Sequence, residues 1–260
     1  MAIGRWGTAA LVVAASLPLA TAACAKTAGT ATLARTSPRA TLIASVQEIQ
    51  ETSFRFKING AGTTASGSVD VPADSAVLKA NYLDEQSDTK FTMDVLVIGK
   101  DSYLKLDFGD ARIPGFPPPD KWQHLDQAKI KDADSLELDV SEDPDPGGAK
   151  DIFAAIVTAE NAGDRRYEGT VDISATDAGL LDDEVVGRLG NAAKTVPFEA
   201  TLDGERRLVN LKLRIPAAPK VKAQVWEITY SDYGAAPKLR KPRAGNVQEA
   251  PSQIYELLNS

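Results

Sequence analysis

Lys90–Phe108 reads K-F-T-M-D-V-L-V-I-G-K-D-S-Y-L-K-L-D-F. Phe91, Met93, Val95 and Val97 fall on every second residue, the period of a strand with one buried face. Gly99 and Asp101 supply turn chemistry between two such runs, so the stretch is an antiparallel hairpin. A hairpin with one apolar face needs something apolar to lie against it, and this requirement organises the rest of the chain.

The same period continues on both sides. Upstream, S-F-R-F-K-I-N sets Phe54, Phe56 and Ile58 against Arg55 and Lys57. A-G-T-T-A-S-G-S-V-D-V follows a turn at Gly60 and Gly62, and V-L-K-A-N-Y-L leads into the hairpin. Downstream come the rigid loop P-G-F-P-P-P-D, short strands in W-Q-H-L and S-L-E-L-D-V, and a second loop, D-P-D-P-G-G. A second strand series begins at R-R-Y-E-G-T-V-D-I. It resumes at V-P-F-E-A-T-L, turns at D-G-E and returns as R-L-V-N-L-K-L-R-I, with Val209, Leu211, Leu213 and Ile215 facing one way. V-K-A-Q-V-W-E-I-T-Y-S-D-Y-G is the last long strand. A-P-K-L-R-K-P-R leaves it as a basic, extended exit, and P-S-Q-I-Y-E-L-L at the tail forms one or two helical turns.

Few segments carry helical spacing. Thr41–Gln50 repeats Leu42, Ile43, Val46 and Ile49 at that spacing, with Thr41 as the cap. Asp145–Ala162 carries an Ile152, Phe153, Ile156, Val157 stripe, and Asp177–Ala193 carries Leu180, Leu181, Val185 and Leu189. Strand runs with few helices predict an α+β fold: one strongly curved antiparallel sheet, a half-barrel, with helices packed on its concave face. The competing reading is two small α+β domains joined by D-P-D-P-G-G.

The N-terminus gives an address. An apolar run from Ala9 to Ala20 follows Met1 and Arg5, small residues T-A-A come next, and then stands Cys24, the single cysteine of 260 residues. Basic start, apolar core and small-residue cleavage site are the parts of an export signal, residues 1–23. A run of about a dozen apolar residues is too short to span a bilayer. Cys24 is then the expected lipidation site, with residues 24–40 a small, polar tether. Thr21 stands three before Cys24, where a bacterial lipobox carries Leu, so plain secretion stays open as an alternative. The predicted location is the outer face of the cell membrane, lipid-anchored.

Charge narrows the partners. Lys and Arg number 29 and Asp and Glu 36, for a net −7. Removing residues 1–23 takes away only Arg5 and leaves −8. An acidic balance argues against nucleic acid, because a binder needs clustered Lys and Arg to displace counterions. His124 is the single histidine, so a multi-histidine metal site is excluded. No G-x-S-x-G elbow, phosphate loop or dinucleotide fingerprint accompanies it. The chain therefore reads as non-catalytic, without cofactor. Trp122 and Trp226 line a pocket or fill the core, and K-L-R-K-P-R reads as a solvated tail.

These parts resemble the LppX, LprA, LprF and LprG type of actinobacterial lipoprotein, which shares the fold of the LolA and LolB lipoprotein carriers. The resemblance rests on Cys24 and its signal, and on T-S-F-R-F after a short amphipathic helix. It rests further on Y-E-G-T-V-D-I before a helix, V-P-F-E-A-T-L-D-G-E-R-R-L-V-N-L, and E-I-T-Y-S-D-Y-G. It covers most of residues 41–240, read as a lipid-binding domain, and leaves 241–260 as a C-terminal tail. It implies an apolar cavity between sheet and helices for acyl chains of envelope lipids or glycolipids. Carrier or chaperone work, a membrane-transporter partner and a monomeric state follow as expectations. On the apolar strand faces the candidate lining is Phe54, Phe56, Ile58, Phe91, Met93, Val95, Val97, Phe198, Leu211 and Leu213. The alternative function is a lipid-anchored, protein-binding accessory or signalling subunit whose core is filled.

Overall fold

A computed structural model describes residues 36–60, 62–84, 89–109, 120–131, 140, 144–176, 178, 181 and 183–259. Cys24, the signal, most of the tether, the Pro-rich loop and all of S-L-E-L-D-V except Val140 lie outside them. One compact unit begins at Thr36.

Among the described residues, twelve strands form one open sheet. They are β1 Ser53–Gly60, β2 Thr63–Asp70, β3 Ser75–Asp84, β4 Thr89–Ile98, β5 Asp101–Asp107, β6 Trp122–Leu125, β7 Ile156–Gly163, β8 Arg166–Val171, β9 Val196–Leu202, β10 Leu208–Ile215, β11 Gln224–Ser231 and β12 Val247–Glu249. Their order is β12-β6-β5-β4-β3-β2-β1-β11-β10-β9-β8-β7. Every pair is antiparallel except β12 with β6. The hairpin quoted first is β4–β5, with Val95 opposite Leu104 and Ile98 opposite Asp101.

The two strand series join through β1 and β11, where Phe56 faces Tyr230 and Ile58 faces Ile228. The sheet is therefore continuous, and D-P-D-P-G-G is not a linker between domains. Asp145, Gly147 and Gly148 are buried. A side chain on Gly147 would meet Ile228 Cδ1 at 2.1 Å, so only glycine lets this turn lie on β11.

Helices are short: α1 Pro38–Ser45, α2 Ala149–Ala154, α3 Asp183–Leu189 and α4 Ser252–Leu258. The first starts earlier than its apolar spacing suggested. Ser37 caps it, its hydroxyl accepting from the Ala40 N–H at 3.2 Å, and Pro38 presets the first turn. Leu42, Val46 and Ile49 are buried in consequence, while Ile43 turns outward at 45% exposure.

The expected helix over 145–162 is two elements. After Ala155 the β-branched run Ile156-Val157-Thr158 pairs with β8 instead, because such side chains fit a pleated surface better than a helix. Ile156 joins the core and Val157 becomes a bulge residue, 54% exposed. A bulge also reverses one expectation in β10. The register shifts between Leu208 and Asn210, so Leu208 rather than Val209 is buried.

Residues 241–260, expected as a tail, belong to the folded unit. β12 pairs with β6, and Ile254 of α4 is fully buried in the core. The Asp126 N–H donates to the Tyr255 hydroxyl at 2.9 Å, and Asn259 bridges the Lys131 N–H and the Lys129 carbonyl.

Candidate functional site

Registers place all ten candidate lining residues on one face of the sheet. One row crosses it as Leu106, Met93, Ala80, Ala65, Ile58, Ile228, Leu211, Ala200 and Tyr167. Neighbouring rows carry Phe56 with Leu78 and Val95, and Trp226 with Leu213 and Phe198. Leu42, Ile49, Ile152 and Phe153 from the helical segments share the core with this face.

Burial divides the ten. Phe54, Phe56, Val95, Val97, Phe198, Leu211 and Leu213 are buried within a single continuous core. Ile58, Phe91 and Met93 are only half-buried. They gather at one end of β1–β4, with Ala65, Tyr82 and Phe108 beside them, also half-buried. Phe91 stacks on Tyr82 at 4.5 Å between ring centroids and on Phe108 at 6.1 Å. Tyr82, Phe108 and Ala65 were not among the sequence candidates. Tyr82 pairs with Phe91 and Ala65 with Ile58, so correct strand register finds these two, while Phe108 lies just past the end of β5.

A polar groove of about 450 Å³ lies beside α1, lined in part by Thr41, Glu48, Glu51, Arg206 and Arg207. Arg207 closes one side. It bonds Asp203 at 2.7 Å, pairs with Glu205 at 3.0 Å and Glu48 at 3.6 Å, and lies over the Tyr233 ring. Burial opposes ionisation of Asp203, but donation from the Arg207 backbone and side chain holds its carboxyl below the usual range. Burial pushes the Tyr233 hydroxyl far up, and that hydroxyl donates to the Leu208 carbonyl at 2.6 Å. These groups tie the D-G-E-R-R turn to the body of the protein.

His124 lies on the opposite face from the core. Its Nε2 is 3.2 Å from Asp101 Oδ1 and its Nδ1 3.1 Å from Glu249 Oε1, and its ring packs on Tyr103. A Ser-His-Asp relay needs one ring nitrogen on a hydroxyl, and here both face carboxylates. Asp101 also accepts from Lys241, which with His124 holds its carboxyl below the usual range. Part of the expected solvated K-L-R-K-P-R run is thus fastened to β5. Trp226 is buried in the core, and Trp122, half-buried, lies under the Lys105 ammonium at 4.7 Å.

Among the described residues no group of three or more acidic, histidine or cysteine side chains is arranged to hold a metal ion. No described helix is long and apolar enough to cross a membrane. The chain matches no protein-family model, and no curated protein aligns with it.

Proposed function

We propose that the protein is a lipid-anchored envelope protein that holds acyl chains against the half-buried end of its sheet, without covalent chemistry. In this reading the open sheet is a half-barrel with the helices on its concave side, and Cys24 carries the anchor. The observation that supports it is the contrast along one face: Phe54, Phe56 and Val95 are sealed, while Ile58, Phe91 and Met93 on the same strands are half-buried. Each CH₂ moved there from water gains about 0.8 kcal/mol. Strands about 4.8 Å apart give β1–β5 a width near 19 Å, room for a long chain laid across them. The partners are then acylated lipids or glycolipids, the membrane reached through the anchor, and a membrane transporter.

The test is native mass spectrometry of the protein purified from its producing cell, with titration of a fluorescent long-chain fatty acid. Co-purified lipid, and probe binding lost in Met93→Asp, support the reading. Absence of both co-purified lipid and probe binding refutes it. One observation favours a second reading: seven of the ten candidate residues are buried in one core. A filled core is what the reading as a protein-binding accessory subunit calls for. It predicts a saturated interior and no probe binding.

A further inference from the structure

The two edges of the sheet differ in length. β12 has three residues and ends its side of the sheet with a short edge. β7 ends the other side with eight residues and, among the described residues, pairs with β8 alone. Among the described residues no backbone hydrogen bond leaves its outer edge. α1 packs beside β7 but does not cover it, since Val157, Thr158 and residues 160–163 are exposed. Sheets commonly protect such an edge with Pro, Lys, a bulge or a covering loop; β7 contains neither Pro nor Lys, and its bulges at Val157 and Ala162 leave Thr158–Asn161 in regular register. An uncovered edge offers its amide and carbonyl groups to an incoming strand.

The charge beside this edge is one-sided. Glu160 of β7 lies opposite Glu168 of β8, and Glu168 lies opposite Glu199 of β9. All three are exposed. Like charges directly opposite each other cost stability. Arg214 offsets the innermost, reaching Glu199 at 2.6 Å. Neither Glu160 nor Glu168 has an ion pair among the described residues. Arg165 and Arg166 sit at the hairpin tip and pair with neither.

We propose that the β7 edge binds an extended, basic segment of another protein as a thirteenth strand, with a Lys or Arg set beside Glu160 and Glu168. A second copy of this chain does not fit. β7 carries no base, so self-pairing about a twofold axis brings acidic face to acidic face. The proposal does not depend on lipid binding.

The test uses the full chain and a fluorescein-labelled peptide of about ten residues alternating Thr and Lys. Anisotropy is expected to report binding that weakens with added salt and about tenfold in Glu160→Gln/Glu168→Gln. Hydrogen exchange at 157–163 should slow when peptide is bound. A peptide N-methylated at alternate residues should not bind, because it cannot complete the backbone bonds. Equal binding of the N-methylated peptide, or of a Thr-Glu peptide, overturns strand addition guided by charge. Self-association of the free chain that the double variant abolishes also overturns it.

Discussion

Replacing Asp145 with Ala should unfold much of what holds D-P-D-P-G-G in place. Asp145 is 5% exposed. Its Oδ1 accepts from the Gly147 N–H at 3.0 Å and the Tyr230 hydroxyl at 2.6 Å, and its Oδ2 accepts from the Ala149 N–H at 2.7 Å. The last bond serves the first turn of α2, whose N-cap residue, Gly148, has no side chain to do so. A buried donor left without an acceptor costs about 1–3 kcal/mol. Three donors lose this acceptor together, and relaxation recovers part of the loss, so Asp145→Ala should cost about 3–5 kcal/mol. A domain of this kind has roughly 5–15 kcal/mol in all. Tyr230→Phe removes one donor and leaves the backbone bonds, and should cost about 1–2 kcal/mol. Urea unfolding, followed by tryptophan fluorescence and far-UV circular dichroism, measures both. The two probes should give one coincident transition, because the turn lies on β11 in the middle of the sheet. A loss under 1 kcal/mol for Asp145→Ala, or two separated transitions, would refute the assignment of this segment as a buried fastener.

Gly67→Ala should cost about 1–3 kcal/mol by overpacking, since its Cβ would lie 1.9 Å from the Val77 carbonyl oxygen and 2.7 Å from Phe56 Cζ; an unchanged melting temperature contradicts the close β2–β3 approach. Lys241→Met should lower stability across the neutral range by loosening the exit segment from β5. Lys241 donates to Asp101, which lowers the Asp101 carboxyl and raises the Lys241 ammonium. A lowered carboxylate stabilises above its ordinary value of about 4 and loses that contribution as pH falls through the folded value. A raised ammonium stabilises below about 10.4 and loses its contribution as pH rises through the folded value. The difference between wild type and variant should therefore be flat between those limits and shrink on acidification. A difference undiminished at about pH 2, well below the ordinary carboxylate value, rules the pair out as its source.

Period-two spacing made the strands legible, because a one-residue slip would turn Phe54, Phe56 and Ile58 to solvent. The same spacing made one face legible as a set. Three things were hidden, each for a physical reason. Ile156 and Val157 continue the helical stripe of Ile152 and Phe153, and their preference for a pleated surface takes effect only where β8 is there to pair with. Bulges at Val157 and Val209 move single residues across a face without changing the sequence pattern. The Asp145 fastener joins residues 85 apart, so nothing near Asp145 in the chain points to Tyr230. For the candidate site, one face was legible but its division into sealed and half-buried ends was not, because burial depends on packing between segments far apart in the chain.

Ala65 separates the carrier from the accessory subunit in one substitution. It is half-buried, between Ile58 on β1 and Ala80 on β3, with Met93 one strand further. In a filled interior, added methylenes force neighbours off their rotamers and cost about 1–3 kcal/mol. In a face that exchanges water for acyl chain, the same methylenes enter space that ligand would take. Ala65→Leu should then leave stability unchanged or raise it, by up to about 0.8 kcal/mol for each CH₂ covered. The same variant should bind the fatty-acid probe more weakly, because leucine occupies part of its bed. Thermal unfolding and probe titration on one preparation read both quantities. A lower melting temperature with no probe binding in either protein assigns this end of the sheet to packing, and moves the search for a partner to the β7 edge.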